Sequence, residues 1–206
     1  MKTKISIIFL AFFSLNLLYP LYSRAQQINT INEKLTERPW LDKETKILYG
    51  HAITQIFGER PSKYRHMMQG PITSIAYKSL DRVLHELDSL AVAEGWKDQK
   101  LQEEKQKYIT RAPGGILELF IIRYDESKAN IKWFFIIIRN EQDEKVTEIK
   151  LDYKAPSLYG GIRWWNYTTI KIDKKVEEPF YVYVNEELTS HLSDFKFRVE
   201  SINNLK

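Results

Sequence analysis

Two stretches of this chain leave no side for solvent. Every residue from Trp133 to Ile138 is apolar, and between Ile116 and Ile122 only Glu118 interrupts. Successive side chains of a strand point to opposite faces, so such runs need cover above and below and belong inside a sheet. Other stretches have one wet face. Phe195, Phe197 and Val199 alternate with Lys196, Arg198 and Glu200, and Ile170 and Ile172 with Lys171 and Asp173. This period of two begins after Pro113-Gly114-Gly115 and predicts strands near 116–124, 131–139, 145–153, 162–172, 179–185 and 194–202. Turns are expected at Asp125-Glu126-Ser127, Asn140-Glu141-Gln142-Asp143 and Tyr159-Gly160-Gly161. Residues 113–206 are therefore expected to form an antiparallel, sandwich-like β domain of about six strands.

The front of the chain is patterned differently. Ile47, Leu48, His51, Ile53 and Ile56 populate one stripe, and Asp42 is placed to cap it, so 42–57 is expected as a helix. Gly58, Pro61 and Gly70-Pro71 punctuate the connection that follows. Ala76, Leu80, Val83, Leu87 and Leu90 then recur at helical spacing, and Ile72, Leu84 and Ala91 widen the stripe to that of a helix lying on a core. Pro71 suits the first turn of that helix and Gly95 its end. Lys97 to Lys107 is almost wholly polar and is expected as a solvated helical extension. The expected fold class is α+β: amphipathic helices of an N-terminal region, 26–112, packed on the β domain.

Residues 1–25 carry the marks of a cleavable secretory signal peptide. Lys2 and Lys4 begin it, an apolar run follows from Ile5 to Leu18, and Ser23-Arg24-Ala25 sets small residues before a cut at Gln26. A permanent anchor needs about 20 apolar residues, and Pro20 ends any helix sooner. The chain has no cysteine, which leaves neither a lipid-modified terminus nor a disulfide, so the fold rests on its core. Loss of Lys2, Lys4 and Arg24 removes three of 31 basic residues and none of 27 acidic ones, taking the formal charge from +4 to +1. That balance gives no reason to expect nucleic acid or anionic lipid as a partner. A signal ending Ala25-Gln26-Gln27, on a chain rich in Lys, Ile, Asn and Tyr, resembles exported envelope proteins of Bacteroidetes. The resemblance implies a periplasmic or secreted address and carries over no functional residue.

Candidate sites are few. In Tyr159-Gly160-Gly161-Ile162-Arg163-Trp164-Trp165-Asn166-Tyr167, paired glycines permit a turn and aromatics gather beside an Arg. Tyr159, Arg163, Trp164, Trp165 and Tyr167 are the candidate binding residues, since Trp and Tyr bury large area at little entropic cost. Alternation puts Trp164 and Trp165 on opposite faces, so only one of them can recognise a ligand while the other packs. Asp81, His85 and Ser89 have the residue types of a catalytic triad, but at successive helical turns they spread along the axis instead of converging. Asp81 with His85 would supply one side of a metal site, though a solvated helix face is the simpler reading. Glu118, inside an apolar run, needs a cation such as Arg139 or Arg198 or a place on a strand's wet edge, or else serves as a general acid. His51, His66, His85 and His191 show no metal-ligand spacing, and no nucleotide or nucleophile motif occurs, so no metal, cofactor or catalytic set is expected. Asn166-Tyr167-Thr168 fits a glycosylation sequon, and Asp88-Ser89-Leu90 resembles the short O-glycosylation motif of Bacteroidetes.

The function expected from these features is a non-catalytic exported envelope protein that binds another envelope protein or a glycan. The alternatives are a small periplasmic hydrolase built on Glu118, His191 or Asp194, and an inhibitor or immunity-type protein that caps a toxin.

Overall fold

The structure is a computed structural model that describes residues 45–58, 72–159, 161–187 and 195–204. They belong to one compact unit, Glu44–Lys206. Its first element corrects the expected helix over 42–57. Lys46–Leu48 (β1) and His51–Phe57 (β2) form a hairpin. Tyr49 and Gly50 make the turn with φ of 54° and 86°, the left-handed pair that a two-residue hairpin requires. A glycine at Gly50 would weaken a helix by about 1 kcal/mol against Ala. Once the chain turns there, His51, Ile53 and Gln55 line a buried face at period two.

The second helix is also shorter than its stripe suggests. Ile72–Lys78 is a strand, β3, with Thr73, Ile75 and Tyr77 buried. Ile72, Thr73 and Ile75 are β-branched and favour extended backbone, and the stripe's helical phase carries on by coincidence through Ile72 and Ala76. Ser79 then caps α1 (Leu80–Glu94), its hydroxyl oxygen accepting from the Arg82 amide at 3.4 Å. Gly95 closes α1 at φ 63°, with the Trp96 amide donating to Ala91 O at 2.9 Å. Helix α2 (Asp98–Arg111) buries no residue, as its polar composition predicts. It lies on α1, where Lys105 reaches Asp88 at 2.6 Å.

The back of the chain follows its alternation closely. The strands are Ile116–Arg123 (β4), Phe134–Arg139 (β5), Lys145–Lys150 (β6), Ser157–Tyr159 (β7), Arg163–Lys171 (β8), Phe180–Glu186 (β9) and Phe195–Ser201 (β10). Three departures are local: 131–133 is a 3-10 turn, β6 stops at Lys150 and leaves 151–153 outside it, and β7 is a short strand that no alternation announced. All pairings are antiparallel, in a six-stranded sheet of order β1-β2-β10-β9-β5-β6 and a four-stranded sheet of order β3-β4-β8-β7. Among the described residues, the stretch 26–112, expected as helical, thus supplies three strands as well as two helices, and these strands join both sheets. Among the described residues no helix is long and apolar enough to cross a membrane.

The core lies between the sheets. Leu117, Leu119 and Ile121 of β4 cluster with Ile136, Ile138, Val182, Val184, Phe195 and Phe197. β4 is covered on its other side too, where Ile116 and Ile122 are buried, whereas Phe135 and Ile137 of β5 are only half-buried on theirs. Gly114 and Gly115 enter β4 through a gap that admits no side chain. A Cβ on Gly114 would stand 2.1 Å from Lys174 O, and one on Gly115, at φ 86°, 2.3 Å from Lys78 O. These glycines fix where β3 ends and β4 begins.

Candidate functional site

Register sets the side chains of β3, β4 and β8 in rows. On the face turned away from the six-stranded sheet, one row holds Ala76, Glu118 and Thr169, and the next holds Ser74, Phe120 and Tyr167. A third holds Ile72, Ile122 and Trp165, with Ser157 of β7 beside them. Adjacent rows are two residues, or about 7 Å, apart. The rings of Phe120 and Trp165 lie 6.0 Å apart, tilted by 35°. Tyr167 has the Lys154 ammonium 5.7 Å from its ring centroid and accepts from Thr169 Oγ1 at 3.4 Å. All three rings are half-buried and keep part of their surface open.

At the Glu118 end, α1 and α2 roof the sheet over a cleft of about 280 Å³. Leu87, Leu90 and Tyr108 form its apolar walls, and Lys78, Glu86, Glu118 and Thr169 its polar lining. Lys78 Nζ lies 2.9 Å from Glu86, 3.4 Å from Glu118 and 4.4 Å from the centre of the Tyr49 ring. Glu86 is also held by Arg82 at 3.0 Å, and Glu118 accepts from Tyr49 OH at 3.4 Å. Burial disfavours the Lys78 ammonium, but its hydrogen bond to Glu86 and the charge of Glu118 outweigh that and hold its pKa above the ordinary value. Burial, followed by the Glu118 charge, raises the Tyr49 phenol. Each charge on the floor is met by another, and what the cleft offers is hydrogen bonding beside apolar wall.

The five candidate binding residues do not form one surface. Trp165 and Tyr167 share the outer face. Trp164 faces the other way, in register with Arg123 and Leu158. Arg163, expected beside the exposed aromatics, is 2% exposed. Its guanidinium lies 5.0 Å from the Tyr124 ring and donates to the Tyr124 hydroxyl at 3.3 Å, so it anchors the start of β8 from within. Tyr159 pairs with Arg163 at the end of β7. The segment from Arg163 is strand β8, as its alternation predicts.

The other readings resolve as follows. Glu118 finds Lys78, not Arg139 or Arg198, because β3 lies next to β4. Asp81, His85 and Ser89 are exposed along α1, and the Ser89 hydroxyl donates to His85 O at 3.2 Å. His51 is buried, with Nδ1 3.1 Å from Tyr49 O and Nε2 2.9 Å from Glu178. Asn166 of the sequon is 2% exposed, its amide donating to Ala129 O and Lys154 O. A glycan has no access to it. His66, His191 and Asp194 lie outside the described residues. Phe120, Tyr49, Glu86 and Tyr108 went unnoticed in the sequence. Phe120 had a signal, since it stands two residues from Glu118 and shares its face.

Fold and site together define an α+β, sandwich-like domain in which a helix pair roofs part of one outer face and aromatic rings occupy the next rows. No protein family, curated protein or solved structure matches this chain.

Proposed function

We propose that this protein is a non-catalytic exported envelope module that binds a glycan through the outer face of its four-stranded sheet. The observation that carries this reading is the continuity of Trp165, Phe120 and Tyr167 with the cleft over Glu118. A sugar ring has an apolar face that stacks on aromatic side chains and a rim of hydroxyls that need polar partners. The rings supply the first; Glu118, Lys78 and Thr169 supply the second. Because the charges of the cleft already pair with one another, a neutral, hydroxyl-rich ligand suits it better than an ionic one. Export rests on residues 1–25 and their resemblance to Bacteroidetes signals. No cofactor enters the proposal, and an envelope protein in place of a glycan is the competing ligand that the test separates.

The test compares Trp165→Ala and Tyr167→Ala with Trp164→Ala, on a glycan array and in pull-downs from envelope extract. Loss of a central aromatic is expected to weaken glycan binding by about tenfold or more, equivalent to about 1.4 kcal/mol. Trp164→Ala, on the opposite face, should bind like the parent. If the two outer-face variants bind like the parent, the reading fails; if they lose only a protein partner, the ligand is a protein and not a glycan.

A further inference from the structure

Strand β8 runs for nine residues, but β7 covers only three of them, pairing Ser157, Leu158 and Tyr159 with Trp165, Trp164 and Arg163. The backbone groups presented beyond β7 follow from the opposite side of β8. The Ile172 amide donates to Gly115 O and the Gly114 amide to Ile172 O, each at 3.0 Å. Even-numbered residues of β8 therefore turn their N–H and C=O towards β4, and odd-numbered ones away from it. On that outer edge Tyr167 is engaged: its amide donates to Asn166 Oδ1 at 3.0 Å and its carbonyl accepts from Lys154. Thr169 and Lys171 come next, and among the described residues their backbone groups have no partner on that side.

Alongside them runs a cleft of about 420 Å³, between β8 and the chain that crosses from β6 towards β7. The charged residues lining it are Lys150, Lys154 and Lys171 against Asp152 alone. Lys150 has a 3.6 Å ion pair with Glu187, but both ends are in solvent and the pair is weak. Lysines along an open edge deter a neutral apolar strand. The same charge favours an acidic one.

We propose that this edge is a docking site for an extended acidic peptide segment of another protein, which adds as a strand beside β8. Hydrogen bonds to Thr169 and Lys171 supply the affinity, and alternate acidic side chains meet the lysines and supply the selectivity. The site uses the main chain of the sheet's edge; Thr169 and Lys154 also border the proposed glycan face, and blocking main-chain pairing in the probe reads the edge alone.

The probe is a fluorescein-labelled decapeptide of alternating Glu and Val, titrated into the purified full chain by anisotropy. Two further probes are its Lys–Val counterpart and the Glu–Val peptide N-methylated at every second residue, which keeps the charge but blocks main-chain pairing. The Glu–Val peptide should bind, N-methylation should weaken it by about tenfold or more, and the Lys–Val peptide should not bind. Lys150→Glu with Lys171→Glu should weaken it by about fivefold or more. Amide exchange gives a readout independent of variants. In the free chain, the Thr169 and Lys171 amides should exchange faster than those of Thr168 and Ile170, which face β4, and the peptide should slow them. Absence of Glu–Val binding overturns the proposal, as does equal binding of the N-methylated form. So does a Thr169 amide as protected in the free chain as that of Ile170, because the chain would then be covering its own edge.

Discussion

Replacing Gly114 with alanine should be among the most damaging single-methyl changes to this fold, and the structure sets the size of the effect. The new Cβ would stand 2.1 Å from Lys174 O and 2.5 Å from Ile172 Cγ2, where side-chain carbons keep at least 3.0 Å. Two backbone segments must part by about 1 Å, which a close-packed interior resists. That movement stretches two 3.0 Å hydrogen bonds, from the Gly114 amide to Ile172 O and from the buried Tyr77 hydroxyl to Gly114 O. Overpacking costs about 1–3 kcal/mol, and a weakened buried hydrogen bond about 1 kcal/mol more. At about 2–4 °C per kcal/mol for a domain of this size, the melting temperature should fall by roughly 5–15 °C. Urea denaturation followed by Trp fluorescence and thermal melts followed by circular dichroism measure it. Two controls divide the cost. Tyr77→Phe removes only the hydroxyl, at about 1 kcal/mol. Gly161→Ala, at φ 80° with nothing near its Cβ, carries only backbone strain of about 1–2 kcal/mol. If Gly114→Ala proves no more destabilising than Gly161→Ala, the argument from the gap is wrong. The proposed glycan binding should fall as well, since the neighbouring Gly115 abuts Lys78 O beside the cleft floor.

Two further outcomes follow from pairings already described. Burial tends to raise the Glu86 carboxyl, but hydrogen bonds from Lys78 and Arg82 outweigh it and hold the carboxyl below its ordinary 4.5. A depressed folded value means stability that is present above the unfolded value and lost as pH falls through the folded one. Glu86→Gln should therefore cost up to about 1 kcal/mol at neutral pH, and its deficit should shrink in acid; a deficit that stays constant across that range counts against the carboxylate. Asn166→Ala removes a side chain that donates at 3.1 Å to Ala129 O and at 2.8 Å to Lys154 O, for about 2–3 kcal/mol in urea denaturation, and mass spectrometry should find Asn166 unglycosylated.

The back half of the fold was legible because alternation is a local signal. Phe195, Phe197 and Val199 declare one face of β10 without reference to a partner, and the runs of β4 and β5 declare themselves by being apolar on both faces. The front half was not, because β2 and β3 carry apolar residues whose spacing also satisfies a helix. Tyr49-Gly50 and Ser79 were the overlooked signs, a turn dipeptide and a helix cap inside apparently continuous stripes. The site was half legible for the same reason. The division of Trp164 from Trp165 needs only the pleat. The burial of Arg163 depends on Tyr124, 39 residues earlier in the chain, and the pairing of Lys78 with Glu118 depends on β3 being a strand. No local pattern contains either.

The placing of β2 beside β10 has a consequence for the life of the chain. His51 lies in register with Ser201, so an inner strand of the six-stranded sheet waits for a neighbour about 150 residues further on, a separation that makes assembly slow. Until residues 195–201 arrive, β2 has β1 as its one ladder partner among the described residues, and a two-stranded hairpin by itself is marginal in water. The link between β2 and β9 is therefore completed only when β10 arrives. Removing the segment that holds β10 would do more than trim an end: it would cut the sheet between β2 and β9.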